Sequence, residues 1–336
     1  MSWDLEKPGK KGGSEFSVLH REHFKNLFGI AVCGKVAYTV GQDRSVVATN
    51  LDTARLVYNL PCFAGFVYTI ASNPIDPSIL AVGAGDSQIR VWRTGGEQLF
   101  DVTNIHAKLN QCKVMSLAWH PSREGLLAFG TDEGRVGWVE ALGGSRMANF
   151  STAQHRGGVY SVTWGPCVVG EGEGLALYSC GDGKVLQHSM KTGKAIDIQE
   201  SLDKANGSEG ARPAGRSQVL WLEREEGRLL LLGCDDGTIE LYRLPSLALA
   251  ATLKSAAKLI QSLSLAPSHL ADGTEVAAEH SLLLAAASND HPVHVFDLRP
   301  VLALEEGSQA LLVVTPTKVT TNAYILFDNH YFGCLK

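Results

Sequence analysis

Phe66-Val67-Tyr68-Thr69-Ile70 and, one turn later, Ala81-Val82-Gly83-Ala84-Gly85-Asp86-Ser87-Gln88-Ile89-Arg90-Val91-Trp92 decide how this chain folds. They read as strand, turn, strand, tight Gly-Asp turn, strand, because β-branched and aromatic residues suit a pleated surface while Gly and Asp supply the turn's backbone angles. The same order of signals returns five more times. The acids of the tight turn are Asp43, Asp86, Glu133, Asp182, Asp236 and Asp290, spaced 43, 47, 49, 54 and 54 residues apart. An aliphatic residue follows each acid by three positions: Val46, Ile89, Val136, Val185, Ile239 and Val293. One such unit has sheet faces it cannot cover alone, so the repeats must stack and share a core. The expected fold is all-β: a β-propeller with about six recognisable blades of a seven-bladed ring, not visibly closed by a seventh.

Working outward, the first unit runs from about His20 to Leu51, and the sixth ends near Leu298. The growing period comes from insertions rich in Gly, Ser and charge, at Glu171–Gly174, Asp203–Gly215 and Ser268–Glu279, which read as surface loops. Residues 1–19 read as the end of a preceding repeat (Trp3-Asp4-Leu5) and a Gly-rich linker, 20–318 as an incomplete propeller, and 319–336 as a divergent tail. Leu311–Val314 would begin one more outer strand, yet Thr320–Lys336 lacks the expected Trp, Gly-Asp turn and second hairpin. The chain therefore reads as a segment of a larger protein or an alternative product.

With 336 residues, 45% of them hydrophobic, the chain can fill the core of one large β domain. Its net charge of −5 gives no global positive field, so any nucleic-acid contact must come from a local basic and aromatic patch. Seven widely spaced cysteines without a Cys-x-x-Cys pair read as buried thiols of a reducing compartment, neither a disulfide framework nor a zinc site. The N-terminal residues lack the order of a secretory signal and no apolar run would span a bilayer, so no membrane association and an intracellular location are expected. There is no phosphate-cradling Gly loop and no nucleophile with a base signature, and no cofactor or enzymatic role is expected. His291 and His294 alternate along a strand without a third ligand and read as structural. Trp119, Trp164 and Trp221 recur at matching strand ends and read as packing between blades.

Gly65–Ile70, Leu80–Trp92, Trp119–Gly137, Val159–Pro166, Leu175–Gly181 and Val185–His188 resemble the second propeller of the Gemin five family, RNA-binding WD-repeat members of the survival-of-motor-neuron complex. The resemblance spans roughly residues 1 to 318. It implies recognition of small nuclear RNA through the Sm site and the methylguanosine cap, association with other survival-of-motor-neuron complex proteins, and a cytoplasmic and nuclear location. The RNA-contacting residues it implies fall on Arg44, Phe66, Tyr68 and Tyr160, with Arg21 aligned through a loop of different length.

The residues themselves are compatible with that role. Phe66, Tyr68 and Tyr160 begin innermost strands and Arg44 sits on a Gly-Asp hairpin, so all four are expected on one rim of the channel. Single-stranded RNA is held by stacking bases on aromatic or guanidinium planes. The competing readings are aromatics packed between blades, a solvated turn arginine, and a propeller rim that serves as a protein–protein scaffold. Met115 holds the position of Tyr68 and Tyr160 in the third unit, so the fold does not require an aromatic there. Lys113, the third-unit counterpart of Phe66, is placed to steer phosphate or simply to be solvated.

Overall fold

The structure, a computed structural model, describes residues 22–331 apart from 62–63, 95–98, 106–111, 144–146, 170–173, 206–213, 225–226, 257, 267–281, 289–292, 305–316, 320–325 and 328–329. Six four-stranded antiparallel sheets follow one another along the chain, each paired in sequence order from the inner to the outer strand. Their inner strands are Leu27–Cys33, Val67–Ser72, Val114–Trp119, Val159–Pro166, Arg216–Arg224 and Ile260–Leu265. Each inner strand neighbours the next, which arranges the six sheets as blades around an axis. Arg21, Asp290, His291 and Leu311–Val314 lie outside the described residues.

The sixth blade takes its outer strand from Thr317–Val319, paired to Val293–Val295. Beyond it, Leu326–Phe327 and His330–Tyr331 form a short hairpin. The His330–Tyr331 strand neighbours the inner strands of both the first and the sixth blade. The end of the chain thus contributes two strands at the seventh position, where the sequence pattern shows no repeat.

No single central core exists. Apolar residues collect in layers between consecutive blades, because each sheet is apolar on both faces and is covered by its two neighbours. Tyr38, Val46 and Ala48 of blade 1 meet Val67, Leu80, Val82 and Trp92 of blade 2. Blades 3 and 4 share Leu126, Trp138, Val159, Trp164 and Leu177, and blades 5 and 6 share a layer that includes Leu231, Leu241, Leu284 and Phe296. The recurrent tryptophans bind these layers. Trp119 Nε1 donates to the Ala71 carbonyl of the preceding blade at 3.1 Å, and Trp164 Nε1 donates to the Ala118 carbonyl at 3.0 Å. Trp221 packs against Tyr178 of blade 4 at 4.9 Å between ring centroids.

Two polar networks thread through the layers. In blade 5, Arg216 stands where other blades begin their inner strands with Leu27, Val67, Val114, Val159 or Ile260. Its fully buried guanidinium pairs with Glu240 at 3.0 Å and Asp203 at 3.3 Å, and also donates to the Tyr242 hydroxyl. Burial works against the charge, but Glu240 and Tyr242 outweigh it and raise the pKa of Arg216. The pair to Asp203 ties the short helix Gln199–Ala205 to the blade.

In blade 4 a chain of hydrogen bonds runs from Asp182 through His155, Ser179 and His188 to Ser151 on the outer strand of blade 3, with separations of 2.7, 2.8, 2.7 and 2.8 Å. Burial, with His155 adding to it, pulls the His188 pKa down to about 3. Cys33, Cys112, Cys180 and Cys234 are buried free thiols, and burial pushes Cys33 and Cys234 up to about 12. Such thiols are poor nucleophiles and poor metal ligands.

Trp164→Ala removes a buried ring and its bond to the preceding blade, and is expected to lower unfolding free energy by about 3–5 kcal/mol in a denaturant titration. A second expectation concerns pH. Folded His188 stays neutral while the unfolded imidazole protonates below its ordinary value of about 6.5, so protons favour the unfolded chain. Stability present above pH 6.5 is expected to fall on acidification toward the folded value of about 3, by about 1.4 kcal/mol per pH unit from this group. Urea titrations at pH 7, 6 and 5 should show a shallower acid dependence in His188→Asn than in the native chain.

Candidate nucleic-acid interface

One backbone irregularity recurs at the start of every inner strand. The register against the second strand slips by one residue, leaving Phe28, Tyr68, Met115, Tyr160, Ser217 and Gln261 without a partner in blades 1 to 6. Such a bulge breaks the alternation of side chains and re-aims the extra residue. None of the six is buried, although in blades 2 to 6 each follows a buried residue. The bulges share one end of the molecule with the tight turns, since each slip lies opposite the end of the strand that enters the turn. Leu27 pairs with Gly41, Val67 with Ala84 and Val159 with Gly181.

The structure places Phe66, Tyr68, Tyr160 and Arg44 on this common rim. Phe66 and Tyr68 meet edge-on at 6.1 Å, and Phe28 stacks on Tyr68 at 5.4 Å with only 15° between the planes. Phe28 also lies 6.4 Å from Phe66, so three rings form one half-exposed cluster between blades 1 and 2. Burial in that cluster raises the Tyr68 pKa, Lys113 opposes the shift, and Asp132 and Tyr160 add to it. Tyr160 itself is 60% exposed and its ring lies over Gly158. A methyl group at position 158 would stand 2.9 Å from its Cζ, so only glycine accommodates this pose.

The turn acids hold the strand entrances in place. Asp43 accepts from His23 at 2.8 Å and from the Phe24 backbone N–H at 3.3 Å. Asp132 accepts the Lys113 backbone N–H at 2.7 Å and pairs with its ammonium at 3.0 Å. Asp182 accepts from His155 at 2.7 Å and from the Arg156 N–H at 3.0 Å. The acids thus do more than shape their own turns, which is all the sequence led us to expect of them. The third blade divides the work, with Asp132 on the backbone and Glu133 accepting from the Cys112 thiol at 2.9 Å.

Arg44 occupies a conformation that other blades give to glycine or serine. Its φ is +63°, at the turn position held by Ser87, Gly134, Gly183 and Gly237, all with positive φ. A side chain in this region is strained by its Cβ. The residue is exposed and its guanidinium has no ion-pair partner among the described residues. His294, by contrast, is buried and bonded to Ser255 at 3.1 Å, in keeping with a structural role. Among the described residues no group of His, Cys, Asp and Glu could hold a metal ion, and no helix is long and apolar enough to cross a membrane.

Sequence reasoning missed Phe28 as a member of the cluster, because it reads as one more apolar residue of the Leu27–Val32 run. Only the register slip sets it beside Tyr68.

Comparisons with known proteins agree with the fold. Residues 76–166 match the family model of the anaphase-promoting complex subunit 4 WD40 domain. Human Gem-associated protein 5 is 32% identical over 333 residues, covering 94% of this chain and 21% of that protein. Human Coronin-7 is 28% identical over 238 residues, covering 70% of this chain and 23% of that protein. The chain therefore spans about a fifth of the length of the curated relatives it matches. A solved structure described as "Structure of U3-55K" superposes with a TM-score of 0.61 at 14% identity, covering 90% of this chain and 83% of that one, a likeness of fold.

The strain at Arg44 can be measured. Arg44→Gly is expected to raise unfolding free energy by up to about 1 kcal/mol in urea, relieving the left-handed residue at some cost in chain entropy, while any ligand held by the guanidinium is weakened.

Proposed function

The chain is a WD-repeat β-propeller related to Gem-associated protein 5, and from that premise we propose that its rim binds single-stranded RNA in ribonucleoprotein assembly. The observation that carries this reading is the convergence of Phe28, Phe66 and Tyr68 with the exposed Tyr160 and Arg44 on one end of the ring. Rings that packed solely between blades would be buried. Phe28, Tyr68 and Tyr160 stand at bulges that turn them out of the layers, and Met115 shows that the fold tolerates a non-aromatic residue there. The net charge of −5 fits a site whose affinity comes from stacking with a few cations.

The proposed ligand is small nuclear RNA, read at its uridine-rich Sm site and its methylguanosine cap, with other survival-of-motor-neuron complex proteins as partners. The chain acts as a binding module without catalysis, in the cytoplasm and nucleus. Uridine offers a flat face for Tyr68 or Tyr160 and hydrogen-bonding edges for neighbouring side chains, while Arg44 supplies a cationic plane or a phosphate contact. Lys113, paired with Asp132 and close enough to interact electrostatically with Tyr68 and Tyr160, can exchange that carboxylate for a phosphate between the two platforms.

Filter binding of a heptauridine oligonucleotide tests the proposal. Phe66→Ala and Tyr160→Ala are each expected to weaken binding by about 1–3 kcal/mol, with unchanged thermal melts. Full retention of RNA by both variants would remove the site and favour the protein–protein scaffold.

A further inference from the structure

The six bulges do not offer equal surfaces. Blades 1 to 4 present Phe28, Tyr68, Met115 and Tyr160 in order, a run of aromatic and thioether faces. Blade 5 presents Ser217, whose hydroxyl is already committed to the Gly233 carbonyl at 3.1 Å and the Ile260 carbonyl at 2.6 Å. Blade 6 presents the half-buried Gln261. Among the described residues, the bulge positions therefore offer platforms for bases on one side of the ring.

Charge divides the rim in the same way. Arg156, at the entrance to the inner strand of blade 4, is exposed and has no side-chain ion pair among the described residues. Its backbone N–H is fixed by Asp182, the end of the buried hydrogen-bond chain, so the guanidinium projects from an anchored main chain four residues before Tyr160. Immediately beyond it, between blades 4 and 5, lies a cleft of ≈ 580 Å³ whose lining includes Asp182, Lys184, Gln199 and Asp235. The Lys184 ammonium is held by Asp197 at 3.0 Å, which among the described residues leaves the carboxylates of Asp182 and Asp235 to set the sign of the cleft. Farther on, exposed Asp236 has the Lys254 ammonium on its carbonyl at 2.8 Å, so the acidic stretch is confined to the cleft. A phosphodiester is attracted to Arg156 and meets the carboxylates of Asp182 and Asp235 immediately past it.

Resting on the RNA reading above, we infer that the strand crosses blades 1 to 4 only and leaves the rim at Arg156, which holds a backbone phosphate, while Met115 is the platform for the base between Tyr68 and Tyr160. A thioether side chain suits that place because it is polarisable and makes favourable contacts with flat π faces. Arg156 suits a phosphate because its planar fork donates two parallel hydrogen bonds.

Fluorescence anisotropy with labelled heptauridine, across 50 to 300 mM salt and with the full chain, tests the path. Arg156→Gln is expected to weaken binding at low salt and to flatten the logarithmic salt slope by about 0.7, the loss of one phosphate contact on a single strand. Met115→Ser is expected to weaken binding about fivefold or more with the slope unchanged, and Met115→Leu to retain most of it, since an apolar face remains. Ser217→Ala and Gln261→Ala are expected to bind as the native chain does. If native binding is lost in Tyr68→Ala while Arg156→Gln keeps both affinity and slope, the path is wrong and the RNA reading stands. Weakening by Ser217→Ala or Gln261→Ala as large as that by Met115→Ser would equally overturn the path. A native chain that fails to bind overturns both. Thermal melts of each variant separate lost binding from lost folding, and Met115→Leu serves that purpose at the half-buried position.

Discussion

A four-stranded sheet that is apolar on both faces is stable only between two others, and this constraint dictates the rest of the molecule. Each blade is short and flat enough to exchange faces with its neighbours, so the buried surface accumulates in layers and no side chain fills a central core. The tryptophans at the ends of the inner strands make the exchange specific. Trp119 and Trp164 reach across a layer to a carbonyl of the preceding blade, which fixes how far and at what angle successive sheets stand. At the seventh position, where no repeat is encoded, a hairpin from the chain's end lies between the first and sixth inner strands.

The same constraint produces the candidate site. Strands that converge on an axis must turn sharply at their ends, and here each inner strand does so with a bulge. That residue leaves the packing layer while the residue before it, in blades 2 to 6, stays buried. Phe28, Tyr68 and Tyr160 can therefore vary in chemistry while Val67, Val114 and Val159 stay in the core. Hydrogen bonding then sets the positions. Asp182 holds the Arg156 main chain and is itself held, through His155, Ser179 and His188, by blade 3. The uncharged buried imidazole of His188 makes that arrangement dependent on pH, as follows from its depressed pKa.

How much of this was legible beforehand depends on the residue. The equivalence of Tyr68, Met115 and Tyr160 could be read directly, since each stands next after the first residue of a recognisable strand. Arg44 was singled out by the resemblance and by its place on a hairpin, while its left-handed backbone, shared with Gly134, Gly183 and Gly237, came only with the structure. Phe28 could not be read in this way. The bulge residues precede the turn acids Asp43, Asp86, Glu133 and Asp182 by 15, 18, 18 and 22 residues, a spread that hides their correspondence until strands are paired. The role of those acids was only half visible, because their partners His23 and His155 lie far off in the chain. Arg156 carried no signal at all, being one arginine in a Gly-rich loop.

By itself the sequence determined the periodicity, and with it the propeller, because an alternating pattern bounded by Gly-Asp turns admits few other ways of burying its apolar faces. It also determined that the rim aromatics Phe66, Tyr68 and Tyr160 stand at the turn end of blades 2 and 4. The tertiary structure alone decided which of those rings touch, how exposed each is, and where the rim changes from cationic to acidic. Those properties depend on a one-residue slip in strand register and on side chains from different blades meeting across an axis, and neither distance is written in the order of residues.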